Sequence, residues 1–311
     1  MKPDLSAQIR KRLTQECLTV LIADSGLGGL SVCAAIAAEL KERPLTPQVS
    51  LIYYNAWPDK NFGYNRLADD DARIGIFEQA LAGMARFAPD LILLACNTLS
   101  VLYPRTQFSR STGIPVVDII AFGTDMIRDA LASDSLSRAL ILGTRTTIAA
   151  RTHVEGLAAQ GIDPRRLHAQ PCHLLATEIE KGPASSSVAA LVNQFMGKAV
   201  RRIGPWPGDL FAALCCTHFG YIGELIEAHL TELLPGRAIT LLNPNESMAR
   251  FLFGLDRGRG RGASRVAVRV VSKIPWETGR LAAIGSLLSP LSPETVTALQ
   301  AYEQIPDLFT F

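Results

Sequence analysis

Two cysteines are each followed at once by polar side chains. Cys96-Asn97-Thr98 ends the apolar run Leu91-Ile92-Leu93-Leu94, and Cys216-Thr217-His218 ends the run from Leu210 to Leu214. Apolar runs without polar alternation are the pattern of strands buried on both faces of a parallel sheet. In open α/β sheets, ligands bind beyond the carboxyl ends of the strands, so both thiols fall where a ligand is expected. A thiol ionises near pH ~8.5 and is easily shifted, which leaves both protonation states accessible around neutrality. Two thiols facing one carbon acid suit a particular chemistry. The thiolate removes a proton from carbon, the thiol returns one to the opposite face, and the stereocentre inverts without a cofactor. His218, two residues beyond Cys216, can accept a thiol proton or hold a thiolate, and Asp24 can do the same beside Cys96.

Rival chemistries find less support. Cys215 alternates to the face opposite Cys216, and it joins Cys17, Cys33 and Cys172 as packing residues. Cys215-Cys216-Thr217-His218 lacks the Cys-x-x-Cys spacing of a zinc or redox site, and no second pair follows. No metal site is expected. The turn Asp24-Ser25-Gly26-Leu27-Gly28-Gly29 departs from Gly-x-Gly-x-x-Gly, and the next strand ends at Tyr53-Tyr54-Asn55 with no acid to hold a ribose. His153, His168, His173 and His229 have no such company and are expected at surface or helix positions. No lysine motif for a pyridoxal Schiff base stands out. The net charge of +2 gives no general pull toward nucleic acid or membrane. No run approaches the ~18 apolar residues of a membrane span, and the polar residues 1–17 do not form a signal peptide. With 48% hydrophobic and 19% charged residues and six cysteines, a compact protein with reduced thiols in the cytoplasm is expected. A homodimer is left open.

The elements that must position these residues alternate. Strands are expected at 18–23, 49–54, around 91–95, 115–120, 138–142, 168–172, 210–215, 239–243 and 266–274. Helices are expected at 1–17, 31–42, 69–87, 124–132, 148–160, 174–181, 187–202, 223–234, 246–255 and 277–288. Acids at 69–71 suit the start of their helix. The arginine-glycine alternation at 256–262 reads as a solvated loop, and 289–311, with three prolines, as an extension packed on the surface. The alternation implies an α/β fold with mainly parallel sheets, and two similar domains facing each other would place the thiols on opposite sides of a cleft, where the active site would lie. The expected domains are 18–115 plus 240–288, and 116–239, followed by the extension 289–311. Each half has one strand ending in a hydroxyl-rich turn, at Ser25 or at Thr144-Arg145-Thr146-Thr147, and one ending in Cys plus Thr. This hints at internal duplication.

Taken together, Asp24-Ser25-Gly26-Leu27-Gly28-Gly29-Leu30-Ser31-Val32, Ala95-Cys96-Asn97-Thr98, Gly143-Thr144 with Thr147, and Cys216-Thr217-His218 resemble the cofactor-independent glutamate racemases of the aspartate/glutamate racemase superfamily. The motifs fall in that family's order over about residues 18–288. The resemblance implies that Cys96 and Cys216 are the catalytic acid/bases, assisted by Asp24 and His218, with no cofactor. It implies that Ser25, Asn97, Thr98, Thr147 and Thr217 bind the carboxylate and ammonium groups of an amino acid, alongside Phe62 and Gly63 of the loop after the second strand. That loop departs from the family: Asn55-Ala56-Trp57 replaces Gly-Asp-Thr, and Asn61-Phe62-Gly63 replaces Pro-Tyr-Gly. His153 stands where many members have tyrosine, and Phe219-Gly220-Tyr221 replaces Tyr-Pro-Leu. The implied activity is racemisation of L-glutamate to D-glutamate for peptidoglycan. Alternatives are aspartate or another amino acid, a hydantoin racemase, maleate isomerase or decarboxylase reaction, or a binding protein with little turnover.

Overall fold

The computed structural model describes residues 3–256 and 262–310. The arginine-glycine loop expected at 256–262 therefore lies almost wholly outside the described residues. The chain divides into two compact units, one of Met1–Ile119 with Asn245–Phe311 and one of Ile120–Pro244.

The first unit holds a six-stranded sheet, all of whose pairings are parallel. Its strands are β1 (Cys17–Asp24), β2 (Gln48–Asn55), β3 (Leu91–Leu94), β4 (Val116–Asp118), β9 (Arg265–Ser272) and β10 (Glu303–Gln304), in the order β10-β9-β2-β1-β3-β4. The second unit has β5 (Arg138–Gly143), β6 (Leu167–Pro171), β7 (Leu210–Cys215) and β8 (Ile239–Leu242), in the parallel order β6-β5-β7-β8. The order 2-1-3-4 thus occurs in both units, which gives the hint of duplication a topological form. β3 is buried at every residue, as its unbroken apolar run requires. Each such side chain removed from water contributes roughly 1.5–3 kcal/mol.

Register sets the site. Asp24 at the end of β1 pairs with Asn55 of β2, Ala23 pairs with Leu94 of β3, and Asn55 pairs with Ser272 of β9. The carboxyl ends of these strands therefore lie along one sheet edge. In the second unit Gly143 of β5 lies level with Pro171 and Cys215. Strand order reverses between β1 and β3, and between β5 and β7. A doubly wound sheet opens a crevice outside the strand ends at such a point.

Several expectations shift. β4 belongs to the first sheet and β8 to the second, so the boundaries fall at 119/120 and 244/245 instead of 115/116 and 239/240. The helix expected at 148–160 is two, Arg145–Ala149 and Thr152–Ala159, parted at Arg151, whose φ of 55° interrupts helical geometry. Cys17, expected to pack, is exposed at the start of β1.

Residues 289–311 are the largest correction. Ser292 caps the helix Pro293–Gln300, with Pro293 in its first turn. That proline is a helix start, not a helix breaker. β10 then adds to β9, and Leu299, Leu308 and Phe309 are buried. The Tyr54 hydroxyl donates to the Leu308 carbonyl (3.3 Å), and Arg86 donates to the Asp307 carbonyl (3.0 Å). The segment is part of the first unit, not a covering on it. Gly83 makes this seating possible, because a Cβ there would collide with both the Leu308 carbonyl oxygen and the Tyr54 hydroxyl. In Gly83→Ala the helix itself gains about 1 kcal/mol, but a backbone carbonyl cannot yield as a flexible side chain does. The expected outcome is a net loss of about 1–2 kcal/mol. It is read as a lower denaturation midpoint, with faster proteolysis after residue 300.

Candidate active site

In the first unit the hydroxyl-rich turn meets the thiol. Cys96 lies just past β3 and precedes the helix Asn97–Leu102. Its Sγ is 3.1 Å from Ser25 Oγ, and either atom can donate. Asp24 is buried, and its Oδ1 accepts from the Gly26 amide at 2.8 Å. The turn is pinned from β2, since Tyr53 Oη and Asn55 Nδ2 both donate to the Gly26 carbonyl, at 2.6 and 2.7 Å. Gly29 lies against the Asp24 carboxylate, where a Cβ would come within 2.8 Å of Oδ2. This close approach accounts for a glycine there better than a dinucleotide motif does. Burial, and then the Asp24 charge, push the Cys96 thiol up to about 12, against smaller opposing hydrogen bonds from Ser25 and Leu99. At neutral pH Cys96 is a thiol with its proton in place.

Asn97 and Thr98 follow it, both buried. Neither amide atom of Asn97 has a hydrogen-bond partner among the described residues, which is costly unless a ligand supplies one. Phe62, half-exposed, and Gly63, buried, lie in the loop after β2. A Cβ on Gly63 would strike the Trp57 indole at 2.8 Å.

The second unit builds a different environment. Cys216 directly follows β7, and its Sγ is 3.7 Å from His218 Nδ1. His218 Nε2 is 2.6 Å from Glu180 Oε1, with His218 5% and Glu180 2% exposed. Burial opposes a charge on His218. Hydrogen bonds to Cys216 and Glu180, with their negative charges, more than offset this and hold its pKa well above the usual imidazole value. His218 thus lies between the Glu180 carboxylate and the Cys216 sulfur. Thr147 belongs to the turn after β5, where the Thr144 side chain caps the next helix by accepting from the Thr147 amide and lies 3.0 Å from Thr147 Oγ1. Thr147 and Thr217 are both buried.

The structure thus groups Asp24, Ser25, Cys96, Asn97 and Thr98 in one unit, with Cys216, Thr217 and His218 in the other. Glu180 was not singled out from sequence. Its signal is an acid beside Ile179 on the buried side of the helix Leu175–Lys181, where an unpaired carboxylate would be expensive. His153 lies in a helix as expected but is buried. Its Nε2 has no hydrogen-bond partner among the described residues, and burial pushes its pKa down to about 4. Cys33, Cys172 and Cys215 are buried thiols raised chiefly by burial. Among the described residues no group of three or more His, Cys, Asp or Glu is placed to hold a metal ion.

Two parallel α/β units, each with a cysteine at the strand that follows the reversal point, define a class of protein. A family profile described as Asp/Glu/Hydantoin racemase matches residues 24–250, and the chain belongs to that family. It is similar to the glutamate racemase of Chlorobaculum tepidum, 25% identical over 250 residues that cover 77% of this chain and 80% of that one. It is also similar to the glutamate racemase of Paracoccus denitrificans, 28% identical over 252 residues that cover 76% and 85%. In fold it matches the crystal structure of Francisella tularensis glutamate racemase in complex with D-glutamate, with TM-score 0.67 and 18% identity over 93% of this chain and 97% of that chain.

The Glu180–His218 pair generates a prediction. Glu180→Gln removes the negative charge that holds the proton on His218, so the imidazole pKa falls and Cys216 loses its cationic neighbour. The His218 pKa, followed by NMR titration of the imidazole, should fall relative to wild type. An unchanged value would refute the coupling. The stability that His218 contributes has a defined sign too. Its folded pKa lies above the unfolded value of about 6.5. That contribution is therefore complete below about pH 6.5 and is lost as pH rises through the folded pKa.

Proposed function

We propose that the protein racemises an amino acid, with L-glutamate and D-glutamate as the interconverted pair, by proton transfer at Cα between two cysteines and without a cofactor. The observation that carries this reading is the contrast between the two thiols. Cys96 keeps its proton beside Asp24 and Ser25, and Cys216 sits against an imidazole held by Glu180. In the L-to-D or D-to-L direction that starts from this state, the Cys216 thiolate takes the Cα proton and becomes a thiol. The electron pair left on carbon delocalises into the carboxylate. Cys96 gives its proton to the opposite face and becomes a thiolate. One C–H bond breaks, one forms, and the reverse reaction begins from the exchanged protonation state. Asp24 and His218 assist the two sulfurs, and Ser25, Asn97, Thr98, Thr147 and Thr217, with Phe62 and Gly63, hold the amino acid. The family membership and the named relatives support this reading, and the product would supply D-glutamate for cell-wall peptidoglycan in the cytoplasm. No helix among the described residues is long and apolar enough to cross a membrane.

The loop Asn55–Gly63 favours a second reading for the side chain of the substrate. Trp57 packs on Gly63, and Phe62 brings a ring without a hydroxyl. L-Aspartate and other amino acids therefore belong beside L-glutamate in the first assay.

In heavy water, L-glutamate should yield D-glutamate carrying deuterium at Cα, followed by chiral chromatography and mass spectrometry. Cys96→Ala and Cys216→Ala should each lower racemisation by about a hundredfold or more, because each removes one of the two proton carriers. Full activity in either variant would overturn the two-base mechanism. Faster exchange with another amino acid would move the assignment to that substrate.

A further inference from the structure

Tyr64 opens the short turn Tyr64–Arg66 in the loop after β2. It is only 2% exposed, and its hydroxyl has no hydrogen-bond partner among the described residues. The phenol is held in place. Its ring meets Phe77 edge-to-face, with centroids 6.4 Å apart at 89°. Its carbonyl accepts from the Leu67 amide at 3.2 Å and from Arg73 Nε at 3.0 Å, and Arg73 is in turn tied to Asp70. These bonds anchor the Tyr64 backbone, while Phe77 packs against its ring.

The surroundings point to the first unit's thiol. β2 and β3 flank β1 in register, so the loop carrying Tyr64 and the turn carrying Cys96 leave from the same sheet edge. Phe77 belongs to the helix Asp70–Ala85, which packs against the helix Asn97–Leu102 that Cys96 precedes. Burial holds the phenol's pKa well above its usual value, so the hydroxyl keeps its proton. Phenylalanine would fill the same space without an orphaned hydroxyl. A buried polar atom left unpaired at a strand-end site is therefore matched to a partner that arrives with a ligand. The two orphaned amide atoms of Asn97 belong to the same edge.

We propose that Tyr64 is a ligand-positioning residue of this site, its phenol donating a hydrogen bond to a carboxylate of the amino acid held at Cys96. An ammonium group already finds acceptors there in the Asp24 carboxylate and Asn97 Oδ1. A carboxylate needs donors, and the neutral phenol is one. Tyr64 thus supplies the loop with the hydroxyl that Phe62, two residues earlier, lacks. This assignment rests on the racemase reading for the identity of the ligand, but its effect on stability does not.

Tyr64→Phe tests it, with the full chain. The variant should melt a few degrees higher than wild type, because an unpaired buried hydroxyl is removed at constant volume. Its KM for L-glutamate should rise about tenfold or more with kcat within about threefold. An equal or lower melting temperature, or an unchanged KM, overturns the proposal. If wild type shows no Cα exchange with any amino acid, the racemase reading fails, and Tyr64 is judged by ligand-induced thermal shift with L-glutamate and L-aspartate. A larger shift in wild type than in Tyr64→Phe supports the role, and equal shifts or none in wild type overturn it.

Discussion

Parallel pairing at a fixed register is the constraint on which the rest of the molecule depends. With Ala23 opposite Leu94, the residues that follow β1 and β3 leave the sheet level with each other, and Ser25 reaches Cys96. A slip of one residue would turn every side chain of a strand to the other face and carry the apolar set out of the core. Burial on both sides of β3 therefore fixes the site as firmly as it fixes the sheet. The same order, 2-1-3-4, places Gly143 and Cys215 level in the second unit.

On this common scaffold the two thiols receive unlike surroundings. Asp24 beside Cys96 is a negative charge that resists ionisation, and burial adds to it. His218 beside Cys216 is a cation sustained by Glu180 against its own burial. The neighbours of the two sulfurs therefore differ in kind: a carboxylate and a hydroxyl beside Cys96, and an imidazole held by a carboxylate beside Cys216.

Stability and site share residues in the first unit. Tyr53 and Asn55 hold the Gly26 carbonyl, and Ser272 of β9 donates to Asn55 Oδ1 at 3.3 Å. β9 is in turn flanked by β10, so the last part of the chain supports the strand that braces the turn beside Cys96. A tail that looks dispensable by its prolines is tied to the site through two layers of pairing.

The alternation of strands and helices, the two strand-end cysteines and the polar residues after them were legible because they are local patterns. An apolar run needs a buried strand, and a polar cluster at its end needs a reason to be there. Other features were not legible, because they depend on contacts between residues distant in sequence. Glu180 is one of several acids until the helix that bears it turns it onto His218, 38 positions further along. Pro293 looks like a breaker until Ser292 caps the helix it begins. Tyr64 is one aromatic in a loop until Phe77 and the neighbouring turns enclose its hydroxyl. Residue types and their order determined which chemistry the chain can carry. What surrounds each sulfur was decided only in the folded structure, because burial and neighbouring charge are properties of three-dimensional surroundings that no local stretch of sequence contains.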